Sequence, residues 1–254
     1  MKMEFNISKS IKPWIKDIEL YTPGKTIKGC IKLASNENNY GPPQKVVEAL
    51  QEGIKEVNIY PYKGEEVKEK IAGYCGVGKE NIILGNGSDE LMDLIFKTIK
   101  GPFLGLNPSY SEYRIFTQVL DERYLEVNLK EDFSFPLKEF IKKLREANAP
   151  IICSPNNPTG TVVSEEDIRS VLDEGKITIV DEAYYEFYGK TVIPLIKEYP
   201  NLIVLRTFAK AFALAGLRIG YAVSNPEVIN VLCKVKPPFS VSSLALASAI
   251  AALD

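Results

Sequence analysis

The chain has 254 residues, enough for one large core, and its 45% hydrophobic and 25% charged residues are ordinary for a soluble globular protein. A formal net charge of −2 offers no basic surface for a nucleic-acid backbone, so we expect no nucleic-acid partner. The chain contains no histidine, which excludes Ser-His and Cys-His nucleophilic pairs and His-ligated metal sites. Acid–base chemistry must therefore use Lys, Tyr, Asp or Glu, and we expect no bound metal.

The four cysteines lie far apart and form no spacing typical of a metal or redox site: Cys30, Cys75, Cys153 and Cys233. We expect reduced and mostly buried thiols. The first ten residues lack the apolar segment of a secretion signal, and no stretch of about 18 apolar residues occurs, so we expect no membrane association. A cytoplasmic location follows by default.

Residues 1–40 are interrupted by Pro13, Pro23, Gly24 and Gly29, so we expect an extended arm there. The rest of the chain alternates helix-like and strand-like segments, which is the pattern of βαβ units in a largely parallel sheet. Short apolar runs predict strands at 81–84, 102–106, 150–153, 177–180 and 202–205. Helices are predicted at 46–54, at 91–99, from Ser164, from Asn225 and, as a strongly apolar helix, at 241–253.

Polar residues follow the predicted strands, at the edge where an open parallel sheet binds its ligands. Ser88 and Asp89 follow the first strand at a helix N-terminus, where free backbone N–H groups favour a phosphate. Asn157, Asp181 and Lys210 follow later strands. Each residue alone is more typical of a turn or a solvated charge, but the combination indicates a binding site.

Pyridoxal phosphate requires a set of this kind. The cofactor needs an amine for a Schiff base, a carboxylate beside the pyridine nitrogen, donors to the phenolic oxygen, and a cationic, amide-rich cup for the phosphate. The chain offers these parts, in that order, as Lys210, Asp181, Asn157 with Tyr184, and a cup of Ser88, Asp89, Thr207 and Arg218.

Three segments resemble the fold-type I aminotransferases of class I and II: 154–160 (SPNNPTG), 180–184 (VDEAY) and 206–220 (RTFAKAFALAGLRIG). Six more narrow the resemblance to the histidinol-phosphate aminotransferases: 21–24 (YTPG), 32–38 (KLASNEN), 60–61 (YP), 87–91 (GSDEL), 108–110 (PSY) and 236–239 (KPPF). Together they cover nearly the whole chain. The resemblance implies an α/β fold, the large domain of a pyridoxal-phosphate-dependent transferase, with a mostly parallel central sheet flanked by helices.

The resemblance also implies a domain division, with an N-terminal arm over residues 1–40 and a cofactor-binding large domain over residues 41–254. By the same resemblance, the family continues into a C-terminal small domain, which we expect to be absent from this chain. That domain supplies the arginine that grips the α-carboxylate of the substrate. The arginines present do not occupy that position: Arg114, Arg123, Arg145, Arg169, Arg206 and Arg218.

Carried over position by position, the resemblance implies that Lys210 forms the covalent link to the cofactor and shuttles the proton, and that Asp181 pairs with the pyridinium nitrogen. It assigns the phenolic oxygen to Asn157 and Tyr184, ring stacking to Tyr110, and the phosphate to the backbone of Ser88 and Asp89, to Thr207 and to Arg218. Ala209 stands where the family often has serine, which removes one phosphate ligand.

Three further residues are candidates on the same ground. Tyr60 would reach the phosphate of a partner subunit's cofactor, which implies a homodimer. Tyr21 and Asn36, in the arm, are candidates for substrate contact.

The implied reaction exchanges an amino group between L-histidinol phosphate and 2-oxoglutarate. The expected partners are therefore small molecules, a phosphorylated amine and a 2-oxo acid. Two alternatives stay open. One is a threonine-phosphate decarboxylase, since such enzymes share most of these motifs, and the other is a cofactor-binding remnant with little or no turnover.

Overall fold

The computed structural model describes residues 6–19, 22 and 24–254. Its N-terminal part, which we expected to be an extended arm, contains two short 3-10 helices, Ile7–Lys9 and Pro13–Asp17. The indole N–H of Trp14 donates to the backbone oxygen of Val119 over 3.1 Å, and this bond ties the second helix to the body of the protein. The domain boundary at residues 40 and 41 stays a prediction.

The remaining chain alternates helices and strands, as expected. The helices are α1 (Gln44–Gly53), α2 (Gly64–Cys75), α3 (Gly87–Thr98), α4 (Glu112–Val119), α5 (Leu137–Leu144), α6 (Glu165–Leu172), α7 (Tyr185–Tyr188), α8 (Pro226–Val235) and α9 (Ser243–Leu253). The strands are β1 (Ile82–Gly85), β2 (Phe103–Asn107), β3 (Tyr124–Asn128), β4 (Ala149–Cys153), β5 (Thr178–Asp181), β6 (Leu202–Thr207) and β7 (Gly220–Ser224).

These strands form one sheet in the order β1-β7-β6-β5-β4-β2-β3. Parallel pairs join β3 to β2, β2 to β4, β4 to β5 and β5 to β6, and only the pairs made by β7 are antiparallel. The prediction of a mostly parallel sheet is confirmed. Two strands, β3 and β7, were not predicted from the sequence.

Both faces of the sheet are covered, which explains why most strands are continuous apolar runs. One core cluster lies under α1, α2, α5, α6 and α9 and includes Val67, Phe140 and Val204. The other lies under α3, α4 and α8 and includes Leu91 and Ile203. Adjacent residues of a strand thus enter opposite clusters, and each fully buried apolar side chain contributes about 1.5–3 kcal/mol of transfer free energy.

The predicted apolar C-terminal segment forms α9, which packs against α1 and α2. The hydroxyl of Ser242 caps its N-terminus by accepting the N–H of Ala245 over 3.2 Å. Close packing is visible at Gly53, where an added Cβ would lie 3.1 Å from Cδ2 of Leu244. The helix therefore has little polar surface because neighbouring helices cover it.

The cysteines differ in part from expectation. All four are free, but Cys30 and Cys233 are exposed, whereas Cys153 is buried and Cys75 is half-buried. The expectation of mostly buried thiols is therefore wrong for two of the four. Of the helices in the described ranges, none has both the length and the apolar character needed to cross a bilayer.

The N-terminus of α6 gives a test of local stability. The Ser164 hydroxyl accepts the N–H of Asp167 over 3.0 Å, so Ser164→Ala leaves a helix-terminal donor without its cap. We expect the free energy of unfolding, measured by urea denaturation, to fall by about 1 kcal/mol. Ser170→Ala in the same helix is the control, because its hydroxyl only bonds the Glu166 carbonyl and its removal should change stability by less than about 0.5 kcal/mol. Equal losses in both variants would contradict the capping role.

Candidate active site

A cavity of about 590 Å³ opens at the carboxyl ends of β4, β5 and β6. Its lining brings together ten residues that the sequence analysis singled out: Asn36, Ser88, Asp89, Tyr110, Asn157, Asp181, Tyr184, Thr207, Lys210 and Arg218. Their polar groups lie far apart in the sequence and meet only because parallel strands end at a common edge.

Lys210 lies in the loop after β6, and its amine is half-buried in the cavity. The amine donates to the backbone oxygen of Ser35 over 2.8 Å and lies 5.9 Å from the ring centroid of Tyr184. Burial lowers the pKa of Lys210, and while the nearby Asp89 carboxylate opposes this shift, the Arg218 guanidinium adds to it. A lowered pKa increases the neutral fraction of the amine, which is the nucleophilic form.

Asp181 ends β5 and is 3% exposed. Its carboxylate accepts the hydroxyl of Tyr113 over 2.6 Å and the N–H of Ala183 over 3.0 Å. Burial raises the pKa of Asp181 to about 6, although the Tyr113 hydrogen bond lowers it. In the described part of the chain no Lys or Arg forms an ion pair with this carboxylate, so a cation in the cavity would find an acceptor without a charged partner.

Tyr113 contacts the site through Asp181 and was missed by the sequence analysis. It lies on α4 three residues after Tyr110, it is fully buried, and the two rings meet edge to face with centroids 5.5 Å apart. A buried tyrosine needs a hydrogen-bond partner for its hydroxyl. The sequence could therefore have indicated that Tyr113, if buried, lies near a polar residue at the end of a strand.

The predicted phosphate cup lies at the N-terminus of α3 and depends on two glycines. Gly87 has a φ of +78°, and a Cβ there would lie 2.5 Å from Nη2 of Arg218. A Cβ on Gly220 would lie 2.7 Å from the backbone nitrogen of Ser88 and 2.9 Å from the backbone oxygen of Arg206. Both positions require glycine, because side chains would push β7 and the guanidinium away from the first turn of α3.

Charged and hydroxyl groups complete the cup. The Arg218 guanidinium donates to the Asp89 carboxylate over 2.6 Å, so an anion bound here would compete with Asp89 for that cation. The hydroxyl of Thr207 accepts the N–H of Ala209 over 3.1 Å, which fixes its orientation. Ala209 lines the cavity with a methyl group and offers no hydroxyl of its own.

The opposite wall of the cavity is polar. The Asn36 amide donates to the Tyr184 hydroxyl over 2.9 Å, and burial raises the pKa of that hydroxyl. Asn157 lies beside Asn156, whose amide donates to the Pro108 carbonyl over 3.0 Å and whose carbonyl accepts a hydroxyl from Ser109 over 2.8 Å. These bonds hold the 154–160 turn in one conformation.

Two sequence candidates lie apart from this group. Tyr60 does not line the cavity; it is 74% exposed and stacks on Phe239 with ring centroids 4.6 Å apart. Tyr21 lies outside the described residues. The Tyr110 hydroxyl lies 3.5 Å from the Asp89 carboxylate at the cavity wall.

The pKa of Asp181 gives a test that needs no ligand. A carboxyl whose pKa is raised from about 3.8 in the unfolded chain to about 6 in the folded one binds its proton more tightly when folded, so the free energy of unfolding falls as pH rises through this window. Asp181→Asn should remove a loss of up to about 3 kcal/mol between about pH 4 and pH 6. Urea unfolding of both proteins across this range measures it, and parallel pH profiles would contradict the assignment.

A family model described as aminotransferase class I and II matches residues 28–254. The histidinol-phosphate aminotransferase of Thermoanaerobacter pseudethanolicus is 41% identical over 231 residues, which cover 87% of this chain and 66% of that relative. The chain therefore spans slightly less than two thirds of that relative's length.

Two solved structures share the fold. The histidinol-phosphate aminotransferase from Clostridium acetobutylicum superposes with a TM-score of 0.81 at 30% identity and covers 86% of this chain and 68% of that one. The enzyme from Sinorhizobium meliloti, in complex with pyridoxal-5'-phosphate, gives a TM-score of 0.80 at 27% identity, with coverages of 86% and 63%. The family model spans most of the sequence and the cavity residues fall within it, so this chain belongs to the class I and II aminotransferases.

Proposed function

We propose that this chain is the cofactor-binding part of a histidinol-phosphate aminotransferase. The whole protein would use pyridoxal phosphate to exchange an amino group between L-histidinol phosphate and 2-oxoglutarate in histidine biosynthesis. The observation that carries the proposal is the convergence of Lys210, Asp181 and Arg218 on one cavity. The names of the relatives support the substrate, which is a small phosphorylated amine.

The cavity residues fit pyridoxal phosphate. Asp181 is a buried carboxylate without a charged partner among the described residues, and a protonated ring nitrogen would supply one. The two glycines leave the first turn of α3 accessible to a phosphate at its N–H groups. When bound, the cofactor supplies a carbonyl carbon for amines and a ring that accepts electrons.

Lys210 would hold and move the proton of the reaction at Nζ. Its lowered pKa favours a neutral amine, and the Ser35 carbonyl fixes the direction of the side chain. The amine thus lines the cavity with an increased neutral fraction, which suits both covalent attachment and proton transfer.

Asp181 would stabilise a proton on the ring nitrogen, and Tyr113 would orient the carboxylate for that purpose. Tyr184 and Asn157 would hydrogen-bond the phenolic oxygen from the other side, and Tyr110 would stack on the ring. The backbone of Ser88 and Asp89, with Thr207 and Arg218, would anchor the phosphate. Asn36 would contact the substrate, although in this structure it bonds Tyr184.

A neighbouring cavity of about 380 Å³ shares Asn36, Asn157 and Tyr184 with the main one. Its outer rim is apolar and includes Phe187 and Val162. We propose that the substrate enters from this side, because Asn36, the candidate for substrate contact, lines both cavities.

The exposure of Tyr60 supports the proposal of a homodimer. Its ring does not line the cavity of its own chain and stacks on Phe239, and the nearby residues Val57 and Ile59 are also exposed and apolar. Exposed apolar side chains grouped in this way are typical of a subunit interface. We propose that Tyr60 contacts the cofactor phosphate of a partner subunit.

Of the two alternative functions, the decarboxylase is not favoured and the cofactor-binding remnant is retained. Decarboxylation of threonine phosphate is not favoured, because the relative and both solved structures described above are histidinol-phosphate aminotransferases. Cofactor binding with little turnover stays open for the chain as it is printed, since Arg218 is the only arginine in the described lining of the main cavity and is assigned to the phosphate.

Lys210→Ala tests the cofactor assignment. The purified chain mixed with pyridoxal phosphate should develop the visible absorbance of covalently bound cofactor, and the variant should not, because it lacks the amine. Borohydride reduction followed by mass spectrometry should locate the label on Lys210. Lys234→Ala, an exposed lysine on α8, is the matched control and should bind as the unaltered chain does. A label on another lysine would contradict the proposal.

Substrate choice is tested by supplying L-histidinol phosphate with 2-oxoglutarate, and threonine phosphate separately. We expect glutamate to form in the first reaction and no carbon dioxide in the second. Release of carbon dioxide from threonine phosphate would overturn the transaminase assignment. Normal cofactor absorbance without glutamate formation would favour the remnant.

A further inference from the structure

A buried ion pair lies directly behind the cavity, on the opposite face of the sheet. Asp181 and Thr207 line the cavity, and their chain neighbours Glu182 and Arg206 point the other way. Successive side chains of a strand alternate between faces, so a strand end that presents one residue to the cavity buries the next. Arg206 is 1% exposed and Glu182 is 2% exposed.

The pair is held at several points. Nε and Nη2 of Arg206 lie 2.8 and 2.7 Å from Oε2 of Glu182. The Thr191 hydroxyl donates to the same oxygen over 2.8 Å and accepts from Nη2 over 2.8 Å, while the Val192 N–H donates to Oε1 over 2.8 Å. The guanidinium also lies 3.4 Å from the ring centroid of Tyr185. The carboxylate and the guanidinium can therefore adopt only one arrangement without losing bonds.

The pair lies where β5 and β6 separate. Their backbone register ends at the pair of Asp181 and Leu205, and one more bond joins the N–H of Glu182 to the oxygen of Leu205 over 2.9 Å. Beyond this point β5 leads into α7 and β6 leads into the loop with Lys210. The ion pair is thus a side-chain link between the two strands at the end of their backbone ladder.

A buried ion pair is a poor source of stability, since desolvation of both charges offsets most of their attraction and apolar residues of similar volume often serve as well. Its fully bonded geometry does fix the spacing and orientation of the strands that carry it. That spacing matters here because the proposed ligand is rigid. Asp181 would bind its ring nitrogen and Thr207 its phosphate, and these two groups are a fixed distance apart.

We propose that Glu182 and Arg206 form a positioning clamp, which holds Asp181 and Thr207 at the separation that the cofactor requires. Neither residue touches the cavity, so both act only through their neighbours. The clamp rests on the proposed function for the identity of the ligand, but its effect on the strand ends is a property of the cofactor-free chain.

The test removes both charges together in Glu182→Gln with Arg206→Met. The glutamine keeps an acceptor for the Val192 N–H, so the double variant loses the link between the strands and leaves neither charge of the pair without the other. Glu186, whose carboxylate lies 3.8 Å from Nη1 of Arg206, loses that cation in the variant and keeps its bond to the Tyr74 hydroxyl. We expect the double variant to fold with an unfolding midpoint near that of the unaltered chain. Its dissociation constant for pyridoxal phosphate, from absorbance titration, should rise by about tenfold or more.

Amide hydrogen exchange of the cofactor-free chain gives the second readout. The N–H of Ala183 bonds the Asp181 carboxylate and that of Ala209 bonds the Thr207 hydroxyl, so these two amides report on the two positioned side chains. Both should exchange faster in the double variant, while amides in the middle of β5 and β6, at Ile179 and Val204, should keep their protection.

A surface ion pair supplies the matched control. Arg169 donates a hydrogen bond of 2.5 Å to Glu198, and neither residue lines the cavity. The double variant Arg169→Met with Glu198→Gln should change neither cofactor affinity nor exchange at the two reporter amides. If the buried double variant fails to fold, the single variant Arg206→Lys tests the clamp instead. A lysine keeps the positive charge but cannot contact Glu182 through two nitrogens as the guanidinium does. The single variant should reproduce both effects in smaller measure.

The clamp proposal is overturned if the buried double variant binds the cofactor as tightly as the unaltered chain does. It is also overturned if the variant binds more weakly but the amides of Ala183 and Ala209 do not exchange faster. The proposed function fails separately. If the unaltered chain does not bind pyridoxal phosphate at all, the assignment of the ligand is wrong, and faster exchange in the variant would still establish the link between the strand ends.

Discussion

The parallel order of β4, β5 and β6 is the constraint on which the site depends. Parallel strands bring their carboxyl ends to one edge, and their backbone bonds end there, so the next residues of each strand must find other partners. Asp181 finds Tyr113 and an amide, and Glu182 finds Arg206. The cavity on one side and the ion pair on the other are two results of the same strand termination.

Three ionisable groups in the cavity are suited to a charged ligand. Among the described residues Asp181 is a carboxylate without an ion-pair partner, Lys210 is an amine whose pKa is lowered by burial, and Arg218 is paired with the Asp89 carboxylate. A ligand with a protonated ring nitrogen, a carbonyl carbon and a phosphate would satisfy all three. Family membership and electrostatics therefore support the same cofactor from independent directions.

The sequence predicts much of this, and its failures have physical causes. Strands such as β4 are apolar throughout because both faces are covered, and such runs stand out in the sequence. The edge strand β3 is only half-buried and carries Glu126, and β7 begins at Gly220, so neither shows that signal. The cavity residues were found because motifs mark strand ends. The contact of Tyr113 with Asp181 and the pairing of Glu182 with Arg206 were missed. These contacts join residues 68 and 24 positions apart in the chain, and they depend on how the strands are aligned, which sequence periodicity does not reveal.

The pairing of Arg218 with Asp89 has a consequence for anion selectivity. A singly charged ion that enters the cup must replace a carboxylate already held 2.6 Å from the guanidinium, and it exchanges one negative charge for another with little gain. A phosphate ester carries up to two negative charges and several acceptor oxygens, so it can engage the guanidinium, the N–H groups of α3 and the Thr207 hydroxyl together. We therefore expect the resident carboxylate to weaken the binding of chloride or acetate more than that of a phosphate dianion.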